Sequence, residues 1–239
     1  IPWTIARPAA WTSSMPHLAV RDDGAVLGGG DVTKSERYEL EIAPAAVPVR
    51  AIRLEVLPDP SLPAHGPGLA WYEGPKGDFF LSEIEFTAGG RRLAVAEASD
   101  SFGGTAAFSG SKSTAALAVD GEMSSGWSTN GDQGRAHAAV FRLAEPLPAG
   151  TPLQVVMRFE RHYACPLGCF RLSLTDRDGA AARGRDAGTE AALLVPRANR
   201  SAEEGATVRR AFLAAARELE GAVKEIRDLE ARRRGAPTT

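Results

Sequence analysis

Six stretches of this chain alternate apolar and polar residues with a period of two. The stretch "RYELEI" (37–42) sets Tyr38, Leu40 and Ile42 on one side and charges on the other, and "AIRLEVL" (51–57) repeats the pattern. Such alternation predicts strands with one buried face. In "FFLSEIEF" (79–86) it sets in after the first residues and puts Phe80, Ser82, Ile84 and Phe86 together, leaving Glu83 and Glu85 outward or at a sheet edge. "HAAVFRL" (137–143), "LQVVMRF" (153–159) and "FRLSLT" (170–175) continue the series. Turn-rich pieces separate them: "DDGAVLGGGD", "LPDPSLPAHGPG" and "DRDGAAARGRD". Many short strands with Gly/Pro-rich connections predict a mainly β chain, an antiparallel jelly-roll β-sandwich over residues 1–195.

The period then changes. From Ala202 to Arg234 there is no proline, and the stripe runs through Val208, Phe212, Ala216, Leu219, Val223, Ile226 and Glu230. Steps of three and four predict a long C-terminal helix, close to a coiled-coil seam but weakened at Ala216 and Glu230. Ser201 ahead of Glu203 and Glu204 marks its start. Residues 196–239 thus read as a helical, coiled-coil-like linker. Between 197 and 234 ten basic and seven acidic side chains give +3, against −5 for the rest. Because the signs interleave, a solvated face fits better than a nucleic-acid site. The helix is expected to lean on a neighbouring domain or on another helix.

Composition narrows the function. With 239 residues, 44% hydrophobic and a net charge of −2, the chain suits a folded soluble body, and nothing global calls for nucleic acid or an anionic membrane. No apolar run approaches the roughly 20 residues that cross a bilayer, so no membrane insertion is expected. Opening at Ile1-Pro2-Trp3 without Met, the chain reads as an excised or processed segment. Gly28-Gly29-Gly30 lacks the lysine and serine of a phosphate loop and reads as a flexible turn. His17, His65, His137 and His162 are scattered without ligand spacing, and no Gly-x-Ser-x-Gly elbow occurs. No catalytic constellation emerges, and the expectation is a non-enzyme. Cys165 and Cys169, in "YACPLGCF", lack the spacing of a redox or haem motif. Pro166 and Gly168 can turn the chain between them, so a local disulfide is one reading and two free thiols the other.

One segment asks for more than a turn. In "ALAVDGEMSSGWSTN" (116–130), a plain hairpin would need only Asp120-Gly121, yet further polar residues precede Gly126 and Trp127. The loop offers the Asp120 carboxylate, the Ser125 hydroxyl and carbonyls freed by turns at its two glycines, including that of Glu122. Hard oxygens at short, irregular spacing suit calcium, which takes six to eight of them. A second carboxylate from a neighbouring strand, Glu83, would neutralise the ion. A plain polar turn is the competing reading.

"ALAVDGEMSSGW" resembles the Ala-x-Asp-Gly-Asp-x-x-Thr-x-Trp signature of galactose-binding-like β-sandwiches, the discoidin and carbohydrate-binding-module group, with Glu122 in place of the second acid and Ser125 in place of threonine. "FFLSEIEF" resembles the strand that supplies a glutamate to the same calcium. In that group the strand comes last, whereas here it precedes the loop, so the order looks permuted. Longer phrases, among them "IRLEVLPDPSLPAHGPGLA", "HAAVFRL" and "GCFRLSLT", resemble the sandwich inserted in large planctomycete-type surface proteins that also carry a cytochrome c domain, and "RRRGAPTT" resembles their linker. The resemblance spans roughly the whole chain. It implies a non-catalytic module of a larger exported protein, periplasmic or at the cell surface, with flanking domains of that protein as neighbours and a polysaccharide or glycan as ligand. Departures are the Cys165/Cys169 loop, Asp78 where asparagine is usual, and Ser125.

Sugars are held by an aromatic platform and a few polar groups. "GLAWYEGPKGD" offers Trp71 and Tyr72, with Arg135 and His137 as candidate polar contacts, while Trp127 is expected beneath the calcium loop. The competing reading is a structural interaction or spacer domain that docks neighbouring domains and binds no sugar.

Overall fold

The computed structural model describes residues 1–103, 112–182 and 187–234. The chain divides into two compact units, Trp3–Gly184 and Arg185–Thr239 with Ile1–Pro2. The first is mainly β, built from two antiparallel sheets. Its strands are β1 (Thr4–Ile5), β2 (Pro8–Ser13), β3 (His17–Val20), β4 (Val26–Gly29), β5 (Ser35–Ile42), β6 (Val49–Val56), β7 (Glu83–Ala88), β8 (Arg91–Arg92), β9 (Val95–Asp100), β10 (His137–Leu147), β11 (Leu153–Glu160) and β12 (Cys169–Thr175). One sheet runs β3-β4-β12-β6-β10-β9 with β1 also on β12; the other runs β2-β5-β11-β7-β8.

The alternation read from the sequence is realised where one face meets the core. Along β5, side chains alternate exposed and buried over all eight residues, and β11 alternates likewise. Tyr38, Leu40, Ile84, Phe86, Val155, Met157 and Phe159 from one sheet face Ile52, Leu54, Val56, Phe141, Phe170 and Leu172 from the other. Tyr38 donates its hydroxyl to the Leu167 carbonyl (2.8 Å), which satisfies the polar tip of a fully buried ring.

The outer face of the β6 sheet does not follow the simple pattern. Arg53 and Glu55 are 7% and 2% exposed. Trp3 lies under the Arg53 guanidinium (4.7 Å), and Arg171 clasps Glu55 through Nε and Nη2 (3.0 and 3.2 Å). Trp3, Ala180 and Ala182 pack with Ala51 and Val140 on this side. An ion pair with full hydrogen bonding can be buried where a lone charge cannot.

Several expectations change. Glu83, expected outward or at a sheet edge, is buried, because the Asp-Gly loop closes over the start of β7 and donates the Gly121 N–H to it. The strand read from residue 79 begins at Glu83, because Leu81 instead exchanges backbone hydrogen bonds with Trp127. Gly28 and Gly29 are not a free turn but lie in β4, where the Gly28 N–H donates to the Gly168 carbonyl (2.7 Å). The cysteines form no disulfide: both are free and buried. Cys165 packs with Ala70, Phe80 and Tyr163, whereas Cys169 packs with Ala25 and Leu62, so the turn between them sends the thiols into different clusters.

The second unit is helical: α1 (Ala187–Leu194), α2 (Ala202–Ala215) and α3 (Glu220–Arg234). The long helix expected over 202–234 is interrupted. Ser201 and Glu204 form a reciprocal cap at its start, but Ala216 adopts an extended backbone that ends α2. Phe212 is 71% exposed and Leu219 37%, so little packing holds the middle of the helix, and tertiary packing supplies most helical stability. Residues 235–239 of the linker-like "RRRGAPTT" lie outside the described residues.

Candidate functional site

The connections between β6 and β7, β9 and β10, and β11 and β12 gather at one end of the sandwich, as the registers Val56↔His137, Val56↔Phe170 and Glu83↔Arg158 require. Two clusters of sequence-predicted residues sit there.

The first is the Asp-Gly loop. A short 3-10 turn (Ala115–Ala118) delivers the chain to Asp120. Gly121, at φ +88°, takes a backbone geometry costly for other residues, and its N–H donates to Glu83 Oε1 (2.6 Å). Asp120 Oδ1 accepts from the Glu122 N–H (2.9 Å), and the Ser125 hydroxyl lies 2.8 Å from Asp120 Oδ2 and 3.1 Å from the Glu122 carbonyl. Gly126 permits a close approach: a Cβ there would stand 2.3 Å from the Leu81 carbonyl. Trp127 is consequently seated in the core, fully buried, edge-on to Phe79 (5.3 Å) with its Nε1 donating to the Phe102 carbonyl (3.0 Å).

All four residues named for this site from sequence therefore meet. Glu83, at the first position of β7, is 1% exposed, and its Oε2 is buried without a hydrogen-bond partner. Arg92 Nη2 lies 3.7 Å from that oxygen. Burial pushes the Glu83 carboxyl above its ordinary range; the Gly121 N–H opposes this, and the charge and direct contact of Asp120 reinforce it. Glu83 meets the loop at the Gly121 N–H and at Asp120, and the Ser125 hydroxyl lies within reach of both Asp120 and the Glu122 carbonyl, so every candidate ligand atom here is an oxygen. Among the described residues, no group of three or more His, Cys, Asp or Glu side chains is arranged to hold a metal.

The second cluster surrounds the aromatic loop. Ala70 is fully buried and its carbonyl accepts from the Lys76 and Gly77 N–H groups (both 3.1 Å), while Tyr72 N–H donates to Gly74 (3.0 Å). Glu73 and Gly74 both take positive φ. This tight turn holds Trp71 outward, 67% exposed. Tyr72 stacks on Tyr163 (5.3 Å, 28° between planes), and His162 meets both rings edge-on. Below them the Tyr163 hydroxyl donates to Asp78 Oδ2 (2.6 Å), and Asp78 is buried. Burial pushes the Asp78 carboxyl up, against the Tyr163 hydrogen bond; burial and Asp78 push the Tyr163 phenol up as well.

Arg135 and His137 belong to a different arrangement. Both pair with Asp132, at 3.3 and 3.0 Å, and the His137 ring lies 4.8 Å from that of Phe102. The Gly134 N–H donates to the Gly66 carbonyl (2.9 Å), tying this loop to the start of the aromatic one. Tyr163 was not among the residues singled out from sequence, and His162 figured there only as a histidine without ligand spacing. The signal available was "ERHYACPLG", an aromatic doublet in a proline-containing connection of the same kind as Trp71-Tyr72.

No protein-family model, curated protein or solved structure matches this chain. No helix among the described residues is long and apolar enough to cross a membrane.

Proposed function

We propose that the sandwich is a galactose-binding-like jelly roll acting as a non-catalytic carbohydrate-binding module of a larger exported protein, with a structural calcium ion. The observation that carries the binding reading is Trp71. A large aromatic ring held out by a rigid turn, beside the stacked Tyr72–Tyr163 pair and His162, is the platform on which the C–H face of a sugar ring lies. Arg135 and His137 keep their part as polar contacts only if Asp132 shares them.

Calcium is supported by the loop chemistry. Glu83 Oε2 is a buried carboxylate oxygen without a hydrogen bond, beside Asp120, and a divalent cation would neutralise both. Glu83, Asp120, Ser125 and the Glu122 carbonyl would hold it. Bound there, the ion would fix the loop and stabilise the fold, because these donors converge only when the chain is folded.

The test is a glycan array probed with the wild-type chain and with Trp71→Ala. Signals on a defined glycan class that the variant loses by at least tenfold are expected. The second reading, a spacer that docks flanking domains, draws on the exposed apolar side chains of the helices, Phe212 (71%), Ile226 (55%) and Leu229 (55%). It requires silence from both proteins on the array.

A further inference from the structure

We propose that Arg92 is a built-in counter-cation of the Glu83–Asp120 pair, which a divalent cation must displace, so that this one arginine sets the affinity of the metal site. The inference rests on the calcium reading above and concerns how that site is regulated.

The buried group in want of a counter-charge is Glu83. Its side chain is 1% exposed, Oε1 is occupied by the Gly121 N–H at 2.6 Å, and Oε2 makes no hydrogen bond. A carboxylate this deep needs an opposite charge. Arg158 faces it across the β7–β11 register but is engaged by Glu85 at 3.4 Å. Arg92 remains, at 3.7 Å from Oε2, too far for a hydrogen bond but close enough for charge.

Arg92 is also built to leave. It sits on a two-residue edge strand just past the Gly89-Gly90 turn, and its side chain is 56% exposed. It lines an open cleft of about 380 Å³ with Asp120, Gly121, Leu93 and Val119, which gives the guanidinium room to swing away. Charge balance then sets the order of events. With Arg92 in place, the two carboxylates carry one compensating charge. A divalent cation compensates both, leaving Arg92 surplus and repelled. Its presence lowers metal affinity while it supports the metal-free fold.

The test is calcium titration by calorimetry on the EDTA-stripped full chain, for wild type, Arg92→Gln and Arg91→Gln, with melting curves in EDTA. Arg91 is the control: it precedes Arg92 on β8, is exposed, and removes the same unit of charge. A unit charge facing a divalent ion across a few ångströms of water-like medium is worth on the order of tenfold in affinity. The expected result is that Arg92→Gln binds calcium about tenfold tighter than wild type and melts lower in EDTA, while Arg91→Gln does neither. Calcium binding by all three proteins with Arg92→Gln within twofold of wild type overturns the role of Arg92 and leaves the metal site standing. An equal gain in Arg91→Gln overturns it too, by reducing the effect to net charge. Absence of calcium binding in every protein sinks the calcium reading, and this inference with it.

Discussion

Replacing Glu83 by glutamine separates the cost of a buried carboxylate from the benefit of a metal ligand. In the metal-free protein the substitution removes a charge that burial disfavours and that Asp120 opposes. The amide oxygen can still accept from Gly121, and the new amide N–H₂ faces Asp120 as a donor. What is lost is the 3.7 Å attraction to Arg92, a half-exposed partner and so a weak one. The net effect without metal is a gain of about 1 kcal/mol, the scale of one improved buried polar contact. With calcium at a hundredfold above its Kd, wild type gains about 2.7 kcal/mol, whereas the variant lacks one of two carboxylates and gains little. For a unit of this size 1 kcal/mol moves Tm by roughly 2–4 °C. Wild type should therefore melt a few degrees below Glu83→Gln in EDTA and several degrees above it in millimolar calcium. Scanning calorimetry in both buffers reads this crossing directly. If the variant melts well below wild type in EDTA, Glu83 is a structural anchor and no strained ligand; if calcium moves neither protein, there is no metal site.

The remaining predictions concern buried groups elsewhere. Asp78 has its carboxyl pushed up by burial, so the folded state holds its proton more tightly than the unfolded chain does. Its contribution is therefore fully present below the ordinary Asp pKa and is lost as pH rises through the folded value. Asp78→Asn keeps an acceptor for the Tyr163 hydroxyl, and should raise Tm at pH 7 while flattening the loss of stability on going from acidic to neutral pH; an unchanged slope would remove Asp78 from that account. The thiols should be inert in the native protein, since burial pushes Cys169 up to about 11 and Cys165 higher still. A thiol reagent at pH 8 is expected to label neither cysteine until guanidinium is added and then both, whereas labelling of neither after denaturation would reinstate a crosslink.

How far the pattern along the chain reveals the fold depends on how many faces of each element are buried. β5 and β11 bury one face, and their alternation reads directly as Tyr38-Leu40-Ile42 and Val155-Met157-Phe159 turned inward. β6 buries both, and "RLEV" hides this because Arg53 and Glu55 are charged: they pair with each other, and the distant Trp3 and Arg171 help make their burial tolerable. The interruption at Ala216 is equally silent, since the stripe through Phe212 and Leu219 describes what a partner could cover and not what holds the helix straight. The Asp-Gly loop was legible for a physical reason. Its two glycines do different work: Gly121 takes the positive φ that aims an N–H at Glu83, and Gly126 lacks the Cβ that would strike the Leu81 carbonyl. That close approach lets Leu81 and Trp127 exchange two 2.9 Å backbone hydrogen bonds, which pins the loop against the start of β7, two residues from Glu83. A hairpin would use Gly121 but has no need of Gly126, and both serve to bring a strand carboxylate and a loop carboxylate together. Arg92 escaped the reading because no spacing rule relates the far end of the next hairpin to that loop; only the packed edge of the sheet does.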